Sequence, residues 1–347
     1  MNPLRRFATA ALVALILASL AVPNARATSI NWVTVGDPGN ANDTTGYGAV
    51  ADSFQIMKFE FTNQQYTDFL NSVAQSDPYG LYNTNMNTEP GHNRGGITRN
   101  GSSGSYTYTV NPSDMGNKPV NWVSWFDAAR VANWLVNGAT SSSSTETGAY
   151  TLLGATSGNS VAVNPGATFY IPTEDQWYKA AYYKGGSANA GYWDYATQSD
   201  SQPTMVTADA MGNGRSSSGE NLNGQGNYAN FNNHADWNSQ NGNVTSVGTN
   251  GGPSAYGAFD MSGNIEEWNS LTGAAGPYIG IRGGDWLGTE FYLSSSFRGG
   301  DDPSDEGYYN GFRLASPVAV PEPSTWVMGL AGIACGCWQM YRRRRAR

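Results

Sequence analysis

The sequence predicts one domain that mixes short helices and short strands among long loops, with an apolar segment at each end. Three observations lead there. Gly, Asn, Ser and Thr dominate the stretches 36–48, 83–105, 140–147 and 212–226, which read as loops. Three other segments carry apolar residues at helical spacing directly behind capping residues. Further short runs, such as 53–61, partly alternate as strands do.

The first end is a secretory leader by pattern. Arg5 and Arg6 give a positive start, Phe7 to Val22 is an apolar run, and Ala25-Arg26-Ala27 places small residues where a signal peptidase reads. The run is short for a spanning helix of about 20 residues. A signal peptide over 1–27, cleaved after Ala27 by signal peptidase, is therefore expected. At the other end, Val320-Pro321-Glu322-Pro323-Ser324 precedes the 17 uncharged, mostly apolar residues Thr325 to Tyr341. That length is the lower limit of a bilayer span. Arg342, Arg343, Arg344, Arg345 and Arg347 follow and would hold this end in the cytoplasm. The expected division is a globular domain over 28–319 and a tail over 320–347, with a membrane helix at 325–341 and a basic end.

Charge narrows the partners. The leader takes three arginines and the tail five, leaving 11 of the 19 basic residues in the domain, while Glu322 alone leaves 26 of the 27 acids there. A net charge near −15 repels phosphate backbones, so no nucleic acid is expected as a partner, and it attracts cations. The only cysteines, Cys335 and Cys337, lie in the tail, so the domain has neither disulfide nor thiol. With only His92 and His234, both in polar stretches, a multi-histidine centre is excluded and both read as surface residues. Stability must come from burying tryptophans and tyrosines.

The helices follow Thr62, Ser124 and Thr173. Tyr66, Phe69, Leu70 and Val73 share one face of the first. Asp127 stands three residues after Ser124 and Gln176 three after Thr173, as capping boxes require. Strands are expected at 53–61, 168–171, 279–282 and 311–315. Trp122, Trp125, Trp177, Trp268 and Trp286 read as core. Gly263, Gly283, Gly284 and Gly311 mark tight turns or close backbone approaches. Arg298 and Arg313 are expected to pair with carboxylates that hold the loops.

Several segments then follow in a telling order: Met57 to Tyr66, Lys118 to Trp125, Tyr170 to Trp177, Asn230-Phe231, Gly263-Asn264-Ile265-Glu266-Glu267-Trp268, Arg282-Gly283-Gly284-Asp285-Trp286 and Asn310-Gly311-Phe312-Arg313. The series resembles the formylglycine-generating-enzyme, or sulfatase-modifying factor, family over nearly the whole of 28–316. The resemblance implies an α+β domain of the C-type-lectin-like kind. The tail resembles the PEP-CTERM sorting signal of Gram-negative bacteria. That implies export through the inner membrane, a transient membrane anchor, an exosortase-type sorting protease as partner, and delivery to the cell surface or extracellular matrix.

The family's oxidases bind copper through a cysteine pair after the Gly-Gly motif. By spacing, Gly288 and Leu293 stand at those positions, so cysteine-dependent formylglycine generation is not expected, and no copper or iron site is evident. No catalytic residue is assigned. The resemblance implies structural calcium at Asn230 with the Phe231 carbonyl, and at Asn264 with the Ile265 carbonyl and Glu267, oxygen donors of the kind calcium takes. The acid pairs Asp301-Asp302 and Asp305-Glu306 read as a solvated face. The leading expectation is a non-catalytic binding module for extracellular polysaccharide, with Tyr192, Trp193, Tyr195, Tyr308 and Tyr309 as exposed rings that stack on sugars. The alternatives are an oxidoreductase of the family with cysteine-independent chemistry and a purely structural envelope protein.

Overall fold

Each expected helix starts where its cap stands. The computed structural model describes residues 29–87, 94–271 and 276–317. Helix α1 spans Asn63–Val73 behind Thr62, α2 spans Trp125–Val136 behind Ser124, and α3 spans Glu174–Tyr182 behind Thr173. All three carry a reciprocal capping box with Gln65, Asp127 and Gln176, which satisfies first-turn N–H groups that have no partner within the helix. Helix α2 is buried from Trp125 to Leu135, as a helix apolar on most faces must be. Its three buried polar side chains have partners: Asp127 serves the cap, Arg130 donates to Glu146 at 2.8 Å, and the Asn133 oxygen accepts the Tyr150 N–H at 2.7 Å. Ser124→Ala is expected to cost about 1 kcal/mol, read as a lower denaturant midpoint at unchanged slope; an unmoved midpoint would show that the box contributes nothing.

Strands β1 (Trp32–Val35) and β2 (Phe54–Met57) form an antiparallel hairpin, and the last strand, β13 (Ala315–Ser316), adds to β2. The second sheet has the order β11-β10-β9-β12, from β9 (Glu266–Asn269), β10 (Ile279–Arg282), β11 (Gly299–Asp301) and β12 (Asn310–Gly311). In it β12 runs parallel to β9 and the other pairs are antiparallel. Three two-stranded ladders complete the set: β3 (Ile97–Asn100) with β4 (Thr107–Val110), β5 (Thr204–Met205) with β8 (Tyr228–Ala229), and β6 (Thr207–Ala208) with β7 (Gly214–Arg215). A short helix, α4, spans Glu290–Leu293.

The strands differ from the sequence pattern where pairing is non-local. The run at 168–171 forms only a bridge from Tyr170 to Ala315, and 311–315 is not one strand. Its first residue belongs to the second sheet and its last to the first sheet. Ile97–Asn100 pairs as β3 inside a stretch that composition marks as loop. The loops that remain are tied by asparagine amides: Asn137 Nδ2 donates to the carbonyls of Asn133, Ser144 and Thr147, and Asn227 Nδ2 to Ser199 Oγ and the carbonyls of Ser201 and Gln202.

The largest apolar cluster lies around α1 and α2, with Phe69, Trp125, Trp134 and Trp268 at its centre; a second surrounds α3 with Ile56, Trp177 and Tyr182. Trp125, Trp177, Trp268 and Trp286 are buried and Trp122 is half-buried. Each such indole removes roughly 150–250 Å² from water, an upper estimate of about 4–6 kcal/mol. Among the described residues no helix is long and apolar enough to cross a membrane. The leader, the membrane helix expected at 325–341 and His92 lie outside the described residues.

A candidate binding groove around Glu266

Two adjacent acids on β9 part company, because successive strand side chains leave on opposite faces. Glu267 turns inward. It accepts both guanidinium arms of Arg313 at 2.6 Å and the Trp177 Nε1–H at 2.8 Å, and none of it reaches solvent. Arg313 also donates to the carbonyls of Met57 and Phe259, at 3.1 and 2.8 Å. It stands between β12 and β13, so one fully buried cation joins the two sheets. Glu60 and Asp260 lie close enough to share its field. Burial above all, then the neighbouring Asp260 charge, pushes the Glu60 carboxyl well up. Burial likewise lifts Asp260 to about 6. Arg298 pairs with Glu174 at 3.0 Å.

Glu266 turns the other way, into a groove of about 500 Å³. The parallel pairing of β12 with β9 brings Tyr308 and Tyr309 beside it, with the Glu266 N–H donating to the Tyr309 carbonyl at 2.9 Å. The β10–β11 pairing sets Asp301 on the same rim. Asp285 arrives through the turn at Gly283 and Gly284, whose φ of +97° and +68° suits glycine. Its carboxylate accepts the Leu287 N–H at 2.9 Å and the Gly288 N–H, fixing the loop that leads into α4. Tyr292 and Phe297 close the far wall edge-to-face, centroids 4.8 Å apart. Behind the groove Trp286 is held between the Arg94 guanidinium, 4.0 Å from one of its ring centroids, and Tyr308.

Glu266 is 8% exposed, and among the described residues no donor reaches its carboxyl. Burial first, then the charges of Asp285 and Asp301, raise it to about 8. Burial also raises Asp285, against the pull of the Gly288 and Leu287 N–H groups. A β-carbon at Gly288 would sit 3.1 Å from Asp285 Oδ1 and 3.1 Å from the Tyr292 ring, so the position has little room for a side chain. Leu293 is wholly buried against Ala229 and Phe231. The two positions set by spacing against the cysteine pair are thus a tight backbone turn and a core residue.

The expected sugar-stacking rings are divided among three places. Tyr308 and Tyr309 line this groove. Tyr195 lines a second cleft of about 440 Å³ with Asp194, Asp200 and Glu290. Tyr192 is no free platform: its ring packs on Tyr178 and Tyr183, and its hydroxyl accepts from Asn40 and donates to the Ala41 carbonyl. Trp193 is half-buried, with Lys184 Nζ 4.1 Å from its ring centroid. Of the acids read as a solvated face, Asp302 is exposed, Asp301 lines the groove, and Glu306 accepts from Asn83. His234 is exposed.

The oxygens expected to hold calcium come together and are spent on each other. Asn264 Oδ1 accepts from Asn230 Nδ2 at 3.1 Å, the Thr245 N–H at 2.8 Å and the Thr245 hydroxyl at 3.1 Å. Glu267 is neutralised by Arg313. Asn230 Oδ1, beside Phe231, is buried and accepts no bond, so it alone of the three side chains keeps a free oxygen. A cation needs six to eight oxygens, and the Asn264–Glu267 half, with Ile265 between, does not fit one. Among the described residues no group of three or more His, Cys, Asp or Glu is placed to hold a metal ion. Of the two expected positions only Asn230 with the Phe231 carbonyl keeps a side-chain oxygen to offer, so any rise in melting temperature with calcium should be lost in Asn230→Ala, and no rise in the wild type would exclude an ion there too.

The family described as "Sulfatase-modifying factor enzyme 1-like domain" matches residues 34–318. No curated protein matches the chain. Among solved structures, CarF is similar with a TM-score of 0.51 at 20% identity, covering 84% of this chain and 100% of its own. Treponema denticola variable protein 1 gives 0.43 at 17%, covering 83% and 95%. PvdO from Pseudomonas aeruginosa gives 0.42 at 19%, covering 83% and 92%.

Proposed function

The chain belongs to the sulfatase-modifying factor enzyme 1-like family, and from that premise we propose that it is an exported, non-catalytic binding module whose groove around Glu266 takes polysaccharide. One observation carries the reading. Where the cysteine pair is expected, Gly288 carries no side chain and stands tightly against Asp285 and Tyr292, and Leu293 is sealed in the core, while rings and carboxyls line the groove beside them. Tyrosine faces stack on the C–H faces of pyranose rings, and neighbouring carboxyls bond the hydroxyls, the usual division between apolar lining and a few placed polar groups. The test is calorimetric titration of the protein with the host's extracellular polysaccharide. Saturable binding that Tyr309→Ala abolishes is the expected result. Conversion of a cysteine to an aldehyde in a sulfatase-derived peptide would overturn the reading.

The leader pattern and the Pro321-Glu322-Pro323 tail support export, and in this reading the groove works at the cell surface or in the matrix. The mature protein is expected to begin at Thr28. Recovery of surface protein that still starts at Met1 would exclude a cleaved leader. A second reading, cysteine-independent catalysis, draws on Glu266 itself, since a carboxyl raised to about 8 in a groove suits a general acid. Turnover of a bound saccharide, lost in Glu266→Gln, would favour it.

A further inference from the structure

Resting on that reading, we infer that the groove selects saccharides bearing a free ammonium group, de-N-acetylated amino sugars, over neutral or acidic ones. The lining holds three carboxyls, Glu266, Asp285 and Asp301, and among the described residues no lysine, arginine or histidine. Asp285 is braced by two backbone N–H groups. Glu266 is not braced: it is 8% exposed, meets no donor, and opens only into the groove. A buried carboxyl with no partner costs stability unless a ligand supplies one. An anionic sugar worsens this site, a neutral one offers hydroxyls, and an ammonium group supplies both the counter-charge and three donors.

The rings decide between a sugar and a basic peptide. Tyr308, Tyr309 and Tyr292 crowd the same cavity as the carboxyls, so apolar face and cation must arrive together. An amino sugar carries its ammonium directly on the ring that stacks. A lysine carries it at the end of a flexible four-carbon stem, so its charge does not arrive fixed to an apolar face. Cation–π attraction to the tyrosine faces acts in the same direction.

The experiment titrates the purified full-length protein with four probes of matched length: a glucosamine oligomer, its fully N-acetylated form, a galacturonate oligomer and an oligolysine. At about pH 6 the amines carry charge, and the Glu266 carboxyl, protonated in the empty groove, gives up its proton as the ammonium arrives, so binding of the glucosamine oligomer should release about one proton. The glucosamine oligomer is expected to bind about tenfold or more tightly than the acetylated one, as one charged hydrogen bond allows. Glu266→Gln should erase that preference, with the glucosamine oligomer losing its tenfold advantage over the acetylated one, and Asp301→Asn, at the half-exposed rim, should reduce it in the same direction. Equal binding of both forms, or preference for galacturonate, overturns the selection for ammonium and leaves the glycan-binding reading standing. Tighter binding of oligolysine than of any sugar overturns the choice of ligand class. Failure of every saccharide removes the underlying reading as well.

Discussion

Arg313→Met is expected to destabilise the domain by about 3–5 kcal/mol, the cost of leaving a buried ion-pair partner unmatched. The reason is arithmetic of charge in a dry place. One guanidinium faces Glu267 directly and Glu60 and Asp260 at longer range, and Arg313 is wholly buried. Without it, Glu267 keeps only the Trp177 N–H, and the two other carboxyls lose the charge that offsets them. The carbonyls of Met57 and Phe259 lose a donor at the same time, which loosens the join between the sheets. For a domain of this size the melting temperature should fall by roughly 6–20 °C. Pairing the substitution with Glu267→Leu should recover part of the loss, because a buried pair replaced by apolar residues is often close to neutral. A single variant melting within a degree or two of the wild type would mean that the network is not what holds the sheets.

Glu266→Gln works in the opposite sense, and increasingly so as pH rises above about 4.5. The folded-state carboxyl sits at about 8 against an ordinary value of 4.5, so the folded protein holds this proton more tightly than the unfolded chain. The contribution is fully present below about pH 4.5, declines as pH rises, and is gone above about pH 8, a span worth a few kcal/mol. The amide cannot ionise, so wild type and variant should unfold alike near pH 5 and the variant should be the more stable near pH 9. Asp260, lifted to about 6, adds a decline of the same sign in both proteins, and the difference between the two curves removes it. Denaturant midpoints across pH 5–9 measure this directly. Parallel curves would show that Glu266 ionises freely in the fold. A residue whose loss stabilises the fold yet weakens the site is what a binding group under strain should look like.

The helices and the aromatic core were legible because their signals are local. Thr62, Ser124 and Thr173 each fix a helix start with a partner three residues on, and nothing distant intervenes. The strands were less so. Gly311 and Ala315, four residues apart, join different sheets, and no periodicity distinguishes that from one strand. The site was half visible. Tyr308 and Tyr309 stood out as adjacent aromatics. Glu266 did not, because its neighbour Glu267 matched the family's pattern and drew the attention. The usable signal was the pair itself: two acids in succession on a strand cannot face the same side. Asp285 and Asp301 reach the groove through a tight turn and a ladder that only tertiary pairing sets. Tyr192 misled for the same reason, since its packing against Tyr178 and Tyr183 is not local.

The asparagine amides that tie the loops also set how the protein grows old. Asn137 holds three carbonyls through one NH₂ group and is followed by Gly138, the neighbour that least obstructs attack of the backbone nitrogen on the side-chain amide. Hydrolysis there replaces a donor by a carboxylate and turns three attractions into three repulsions in a single chemical event. Residues 28–319 contain no cysteine, so no disulfide within them keeps a loosened loop in place. Thermolabile amides of this kind are what heat-adapted proteins avoid. The working life of this domain is therefore set by the slow chemistry of its amides as much as by its unfolding equilibrium.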